Sequence, residues 1–292
     1  MPRLAVLPYL WMLLGSLSFA LMATLAHALR TSYDWQAIAL ARSLLPLVLV
    51  SAVAVGTDTK LVLWRPRTLW VRSIAGSLSM VGTFFALTRM PVSDVMTLTN
   101  MFPVWVAVLS WPLLGEAPTG SVWLAVASGV VGVVLIQEPH LAEGNYAALI
   151  AVSCSLSTAV AMLGLHRLQG IDAKAIVVHF SGVALLFCTA AYFVFERGNT
   201  SAGVLTVPNG LMLLGTGVTA TFGQLFLTKA FAAGPPAKVS VVALSQIVFA
   251  LILEVALFGR SIHALTLLGM ALVVGPSAWL LARAGHQAPP PA

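Results

Sequence analysis

The chain has 292 residues, of which 59% are hydrophobic and only 8% are charged, and its mean hydropathy is +0.97. A water-soluble domain carries roughly a quarter charged residues, so this composition excludes a soluble fold and predicts many membrane spans. The net charge is +6, and the sequence contains no basic run. We attribute it to lysines and arginines in cytoplasmic loops, and we expect no nucleic-acid partner.

Ten apolar segments are each long enough to cross a bilayer. We predict them at 8–29, 35–55, 68–88, 92–114, 119–136, 145–165, 174–195, 208–230, 236–258 and 263–283. The first resembles a signal peptide, because it has a basic start and Ala26-His27-Ala28 as a cleavage-like site. We expect it to be retained, since its apolar run is long for a signal peptide and it is needed as the partner of the sixth span. The proline-rich end, 285–292, is predicted to be a disordered tail.

The stretch 91–116 is repeated 144 residues later, at 235–260. At this spacing seven positions carry the same residue type. The pairs are Ala86 and Ala230, Pro91 and Pro235, Val95 and Val239, Val104 and Val248, Leu109 and Leu253, Leu113 and Leu257, and Gly115 and Gly259. Apolar composition alone accounts for some matches, but the ungapped register favours an internal duplication into 1–139 and 140–284. Each unit has five spans, an odd number, so the second copy lies upside down. We therefore predict an all-helical membrane fold of ten transmembrane helices in two inverted five-helix repeats.

The loop charges predict the orientation of the chain. The cytoplasmic side is assigned Arg3, Lys60, Arg65, Arg67, Arg72, Arg167, Lys174, Lys229, Lys238 and Arg283, and the outer side Arg30, Arg89, Arg197 and Arg260. Because cytoplasmic loops carry an excess of Lys and Arg, we expect both termini in the cytoplasm and the protein in the plasma (inner) membrane.

Four motifs carry a family resemblance. They are Arg42 within IALARSLLPL, the run LTNMFPVWVAVLSWPLLGE, the fifth-span pattern SGVVGVVLI, and KAFAAGPPAKVSVVALS before and within the ninth span. With these motifs the chain resembles the drug/metabolite transporter superfamily, in its ten-helix branch built from two EamA-type units. The resemblance implies transport of small metabolites, including amino acids, without nucleotide hydrolysis. The second unit departs from the family pattern, with Ile247 and Arg260 where proline and glutamate usually recur.

Several catalytic motifs are missing from the sequence. It contains no GxxxxGK[ST], HExxH or GxSxG, which argues against ATP-driven pumping and against protease chemistry. Cys154 and Cys188 lie in apolar segments without metal-ligand spacing, so we expect neither a metal nor a cofactor. His27, His166 and His179 lie near predicted membrane ends, where packing roles are commoner than catalysis. A membrane-embedded enzyme acting on a lipid-linked substrate, or a non-transporting scaffold, stays open as an alternative.

Polar residues at helical spacing predict a shared solute site. The proposed substrate-binding residues are Ser16, Ser77, Met80, Thr97, Asn100, Ser157, Thr221, Gln224 and Gln246. Small hydroxyl residues also let membrane helices pack closely, and that interpretation is favoured for any single Ser or Thr. It is less favoured for Asn100 and Gln224, because an amide has several hydrogen-bonding positions to satisfy.

Three further residues are predicted to act in gating. Arg42 and Glu254 lie in the outer third of their spans, where they either pair or extend separately to the interface. Pro103 cannot donate a backbone hydrogen bond and therefore bends its helix, freeing the carbonyl of Thr99.

Because no cluster of Lys or Arg marks the midplane, we expect a neutral, zwitterionic or weakly charged solute. We predict a secondary transporter that exports amino acids or similar metabolites by alternating access, with a site near the membrane midplane between the inverted repeats. Its expected partners are this solute, the bilayer and, in a homodimer, a second copy of the chain.

Overall fold

The computed structural model describes residues 3–87, 89–90, 92–138, 146–194, 206–259 and 261–286. The helices are α1 (Arg3–Leu29), α2 (Trp35–Gly56), α3 (Arg67–Leu87), α4 (Val92–Thr99), α5 (Phe102–Leu114), α6 (Gly120–Gln137), α7 (Tyr146–His166), α8 (Ala173–Val194), α9 (Val207–Ala233), α10 (Pro236–Ala243), α11 (Ser245–Phe258) and α12 (Ala264–His286). Helices α4 and α5 together make one span, as do α10 and α11, so the described ranges contain ten candidate spans. The predicted all-helical fold with ten transmembrane helices is confirmed.

The predicted boundaries agree with these helices to within a few residues at nearly every end. One exception is α12, which continues to His286 and so takes in the first two residues of the predicted tail. The rest of that tail, 287–292, lies outside the described residues, as do Pro91, Arg197 and Arg260.

Two spans are broken, and the breaks occupy corresponding positions. Helix α4 ends at Thr99 and α10 ends at Ala243, which are separated by the same 144-residue shift that relates the two sequence segments. The following helices, α5 and α11, both end at a glycine in the left-handed conformation, with φ of 76° at Gly115 and 66° at Gly259. Glycine closes a helix in this way without the penalty that a Cβ would incur. The structure therefore repeats a broken helix as well as a sequence.

The two breaks have different local causes. In the first, Pro103 occupies the opening turn of α5, and the predicted break in the fourth span is confirmed. In the second, Ile247 stands in place of proline, and its N–H donates to the Leu244 carbonyl three residues back at 3.0 Å. The Ala243 carbonyl instead accepts the Ser16 hydroxyl from α1 at 3.3 Å. A side chain inserted into the helical hydrogen-bond ladder is a known cause of such breaks.

The helices pair across the two halves in a reciprocal pattern. Helix α1 packs along α9, and α3 packs along α7; α2 packs on α8, and α6 packs on α12. Helix α3 also contacts α8, and α2 contacts α9. If each span of one half is exchanged with the corresponding span of the other, this set of contacts is unchanged. Such an exchange relation is expected of a duplicated membrane unit.

The outward surface of the bundle is apolar. Leu124 and Leu149 are each 72% exposed, Phe193 is 75% exposed and Val55 is 74% exposed. In water such a surface would be an aggregation liability, but it suits the hydrocarbon of a bilayer. The buried apolar residues of the largest core cluster come from both halves, including Met12 on α1.

Candidate functional site

The most unusual buried group in the described structure is the guanidinium of Arg72. Sequence analysis counted Arg72 among the loop charges of the cytoplasmic side, although it lies inside the predicted third span, 68–88; its use as a loop charge is wrong, because the side chain is buried in the bundle. Helix α3 begins at Arg67, so Arg72 lies about one and a half turns inside the helix. Only 1% of its surface is exposed, and it is the largest of the side chains that are fully buried.

Three helices of the second half, α7, α8 and α9, lie against this side chain, which itself belongs to α3 of the first half. Its Nη2 donates to Oε1 of Gln224 on α9 at 3.2 Å, and the ring of Phe180 on α8 lies 3.9 Å from the guanidinium carbon. Two glycines provide the space. A Cβ at Gly164 on α7 would lie 3.1 Å from the Arg72 Cβ, and one at Gly76 would lie 2.9 Å from the Phe180 ring. The arrangement therefore needs Gly164 on α7 to leave room for Arg72, and Gly76 on the arginine's own helix to leave room for the Phe180 ring.

The guanidinium is incompletely satisfied. Its Nε and Nη1 are both buried and have no hydrogen-bond partner within the described part of the chain. The Phe180 ring offsets some of the charge by a cation–π contact but accepts no conventional hydrogen bond. A buried charge with unmade hydrogen bonds is costly, so Arg72 is a candidate for binding a further acceptor.

A polar and aromatic cluster follows Arg72 at the end of the bundle that carries the start of α1 and the end of α12. His179 on α8 contacts the Ser73 hydroxyl through Nδ1 at 2.8 Å and donates from Nε2 to the Leu63 carbonyl at 3.1 Å. Because a carbonyl can only accept, Nε2 carries the proton, and in the neutral ring Nδ1 accepts from Ser73. Trp70 packs edge-on against His179 at 4.7 Å and neighbours Trp64 at 6.0 Å. We call these five residues the terminal latch.

Of the predicted residues, Gln224 contacts Arg72, as described above, and Ser77 and Thr221 lie on the same two helices, α3 and α9. Ser77 is fully buried and donates to the carbonyl of Ser73, and Thr221 donates to the carbonyl of Gly217, both at 2.7 Å. The hydroxyl protons of Ser77 and Thr221 are therefore donated within their own helices, and their oxygens keep lone pairs that can accept hydrogen bonds. Their role in substrate binding stays a prediction.

Three other predicted residues connect helices to one another. Ser16 donates to the carbonyl of Ala243 at the second break, and Ser157 on α7 donates to the carbonyl of Ala75 on α3 at 2.8 Å. Met80 lies in an apolar cluster with Phe180, between α2, α3 and α8. These contacts are typical of helix packing in membranes.

The predicted residues at the two breaks have mixed surroundings. Thr97 donates to the carbonyl of Ser93, and the Asn100 amide donates to the carbonyl of Met96, each within its own helix turn. Asn100 remains partly exposed at the point where α4 ends, and Gln246 is half-buried in the first turn of α11. Their roles as substrate ligands stay predictions.

The predicted pair of Arg42 and Glu254 lies on helices with different neighbours. Arg42 is on α2, which packs against α8 and α9, and Glu254 is on α11, which packs against α1 and α12. Glu254 is also within electrostatic range of His27 on α1. The pair stays a prediction, as do the gating roles of both residues and of Pro103.

Sequence reasoning missed three ionisable residues within the spans. Arg72 was counted as a loop charge, His179 was treated as a packing residue, and Asp94, which is 1% exposed on α4, was not considered. A signal for Arg72 was present, because Ser73, Gly76 and Ser77 follow it and leave its helix face without bulk. The start of α3 was predicted to within one residue, but the burial of Arg72 could not be read from the sequence, since it depends on Phe180 and Gln224 from other helices.

A separate cavity of about 230 Å³ opens at the same end of the bundle as the latch. It is lined by residues of α1, α6, α10 and α12, among them Tyr9, Lys238 and Arg283. None of the residues around Arg72 lines it, so we treat it as distinct from the candidate site.

Ten apolar spans around a buried polar centre define a multi-pass membrane protein. The EamA-like transporter family matches residues 6–137 and again residues 144–281. The chain therefore belongs to the EamA-like transporter family.

Similar proteins include named transporters. The pseudopaline exporter CntI of Pseudomonas aeruginosa is 28% identical over 209 residues, covering 70% of this chain and 72% of that protein. The riboflavin transporter of Rhizobium johnstonii is 25% identical over 292 residues, covering 96% of this chain and 92% of that protein. A solved crystal structure superimposes with a TM-score of 0.81 at 18% identity, covering 96% of this chain and 97% of that chain. At this identity the structural likeness concerns the fold alone.

Proposed function

We propose that this protein is a secondary transporter, not an enzyme, and that it exports small metabolites such as amino acids by alternating access. The observation that carries the proposal is the contact between Arg72 on α3 and Gln224 on α9. This buried contact joins a helix of residues 1–139 to a helix of residues 140–284, and inverted-repeat transporters bind their substrates between their two repeats. The printed names of the similar proteins, an exporter and a riboflavin transporter, support transport in general.

The broken spans supply the moving parts in this proposal. Residues 1–139 and 140–284 act as two inverted units, an arrangement supported by the repeated family match and by the corresponding breaks after Thr99 and Ala243. Helix ends at a break leave backbone groups free to bind a polar solute. The two units rock about the site between them and expose it to each side of the membrane in turn.

The orientation proposed from the loop charges is retained. Moving Arg72 from the cytoplasmic loops into the bundle reduces the cytoplasmic excess by one, and the bias toward that side persists. Both termini are then cytoplasmic in the plasma membrane, and the terminal latch around His179 closes the cytoplasmic side. We infer that Arg72, of which only 1% is exposed, is shut off from the cytoplasm in this conformation.

A counterflow assay tests the proposed function. The full-length protein is reconstituted into liposomes that are preloaded with one unlabelled amino acid, and labelled amino acid is added outside; each standard amino acid is tested in turn. We expect exchange above that of protein-free liposomes for at least one of them. Exchange no faster than in protein-free liposomes for every amino acid would contradict amino-acid transport.

A further inference from the structure

We propose that the transported solute carries a carboxylate and that Arg72, with Gln224 beside it, binds this group. The inference rests on the proposed function and specifies its substrate class. It also narrows the expectation of a neutral, zwitterionic or weakly charged solute to one that carries a carboxylate, because no described residue neutralises the buried charge of Arg72.

The hydrogen-bond inventory of Arg72 supports an external acceptor. A guanidinium has five N–H donors and no acceptor, and the described structure supplies one conventional acceptor, Oε1 of Gln224 at 3.2 Å. Nε and Nη1 remain buried without partners. No carboxylate of the chain, within the ranges that the structure describes, contacts the guanidinium; the ion pairs identified there by distance join His166 to Glu116 and Lys174 to Asp172.

Two residues of α9, Gln224 and Thr228, add hydrogen-bond donors to those of Arg72. Arginine can only donate, so the Gln224 oxygen must face it, and the amide nitrogen of Gln224 keeps two N–H groups for another acceptor. Thr228 lies four residues further along α9 and therefore on the same helix face. Its hydroxyl is fully buried and also has no partner. An acceptor group placed here would meet a cation, an amide and a hydroxyl, all able to donate.

A carboxylate fits this set better than other acceptors do. The planar fork of a guanidinium matches the two oxygens of a carboxylate, and such bidentate pairs are among the stronger hydrogen-bonded contacts in proteins. One cation balances one carboxylate, whereas a phosphate monoester brings close to two negative charges at neutral pH. A neutral amide would leave the buried charge without a counter-ion. The α-carboxylate of an amino acid satisfies the site.

Thermal unfolding of the full-length protein in detergent tests the proposal with matched probes. The probes are the standard L-amino acids with their C-terminal amides, benzoate with benzamide, and phosphoethanolamine. We expect at least one carboxylate to raise the unfolding temperature while its amide does not. Arg72→Gln should weaken the apparent affinity for that carboxylate at least tenfold, which is about 1.4 kcal/mol. Lys229→Gln, which removes an exposed cation from the same helix as Gln224, should leave it unchanged.

Gln224→Glu gives a second test that does not depend on the folding of Arg72→Gln. It places a carboxylate of the chain against the guanidinium, so we expect a higher unfolding temperature without ligand and no further response to carboxylates. The proposal is overturned if no carboxylate stabilises the wild type, if amides or phosphoethanolamine do so equally well, or if the carboxylate response survives in Arg72→Gln or Gln224→Glu.

The counterflow assay separates this inference from the proposed function. Binding of a carboxylate that depends on Arg72, without any counterflow, would support the site and contradict transport. Counterflow of an amide as fast as that of its parent amino acid would support transport and contradict the carboxylate site.

Discussion

The contact between α6 and α12 offers a sharp test of how closely the two halves pack. Gly269 on α12 faces Gly132 on α6, and a Cβ added at Gly269 would lie 2.7 Å from the Gly132 carbonyl oxygen, 2.9 Å from Ile136 Cγ1 and 3.0 Å from Leu135 Cβ. Small residues at such a crossing let helix backbones approach each other. We therefore expect Gly269→Ala to push the two helices apart.

The size of the effect follows from these distances. A separation of about 0.5–1 Å forfeits a quarter to a half of the dispersion energy of each affected contact, and overpacking a tight site typically costs about 1–3 kcal/mol. Alanine also favours the helix over glycine by about 0.5–1 kcal/mol. Gly275 on the same helix has no atom within 4 Å of an added Cβ, so Gly275→Ala gains the helix preference of alanine without any clash. We expect Gly269→Ala to be less stable than Gly275→Ala by about 1–3 kcal/mol.

Unfolding of the full-length protein by SDS in mixed micelles measures this difference. Gly132→Ala, whose Cβ would lie 2.6 Å from the Gly269 carbonyl oxygen, should behave like Gly269→Ala. The double variant should cost less than the sum, because one separation of the helices relieves both clashes. Equal stability of Gly269→Ala and Gly275→Ala would refute the close backbone contact.

Three further predictions concern the site and the topology. Asn100→Leu should weaken substrate binding by about 1–3 kcal/mol, the cost of an unsatisfied polar partner, measured as the half-saturation concentration in counterflow; an unchanged value would exclude this ligand. His179→Leu removes two hydrogen bonds of the terminal latch and should lower the unfolding temperature, whereas the exposed His263→Leu should not; equal effects would refute the latch. A cysteine at Tyr146 should react with an impermeant thiol reagent from outside and one at Thr59 should not, and the reverse pattern would invert the proposed orientation.

The sequence by itself determined the spans, the first break and the repeat. Each of these depends on local chemistry. A run of about 20 apolar residues is long enough to cross a bilayer whatever its neighbours are, and Pro103 interrupts a helix wherever it occurs in one. The 144-residue repeat is visible in the amino-acid sequence alone. Its structural counterpart is the pair of left-handed glycines, Gly115 and Gly259, which end corresponding helices because glycine adopts this conformation without strain.

Only the tertiary structure decided where the polar groups find their partners. The second break has no proline; the hydroxyl of Ser16, more than two hundred residues away in the chain, bonds at its carbonyl instead. Arg72 looks like a loop charge in the sequence, and its burial depends on Gly76 and Gly164 leaving space and on Phe180 and Gln224 arriving from other helices. The length of an apolar span can be read from one segment of the sequence. Whether a buried donor finds a hydrogen-bond acceptor depends on several helices at once, and only their packing determines it.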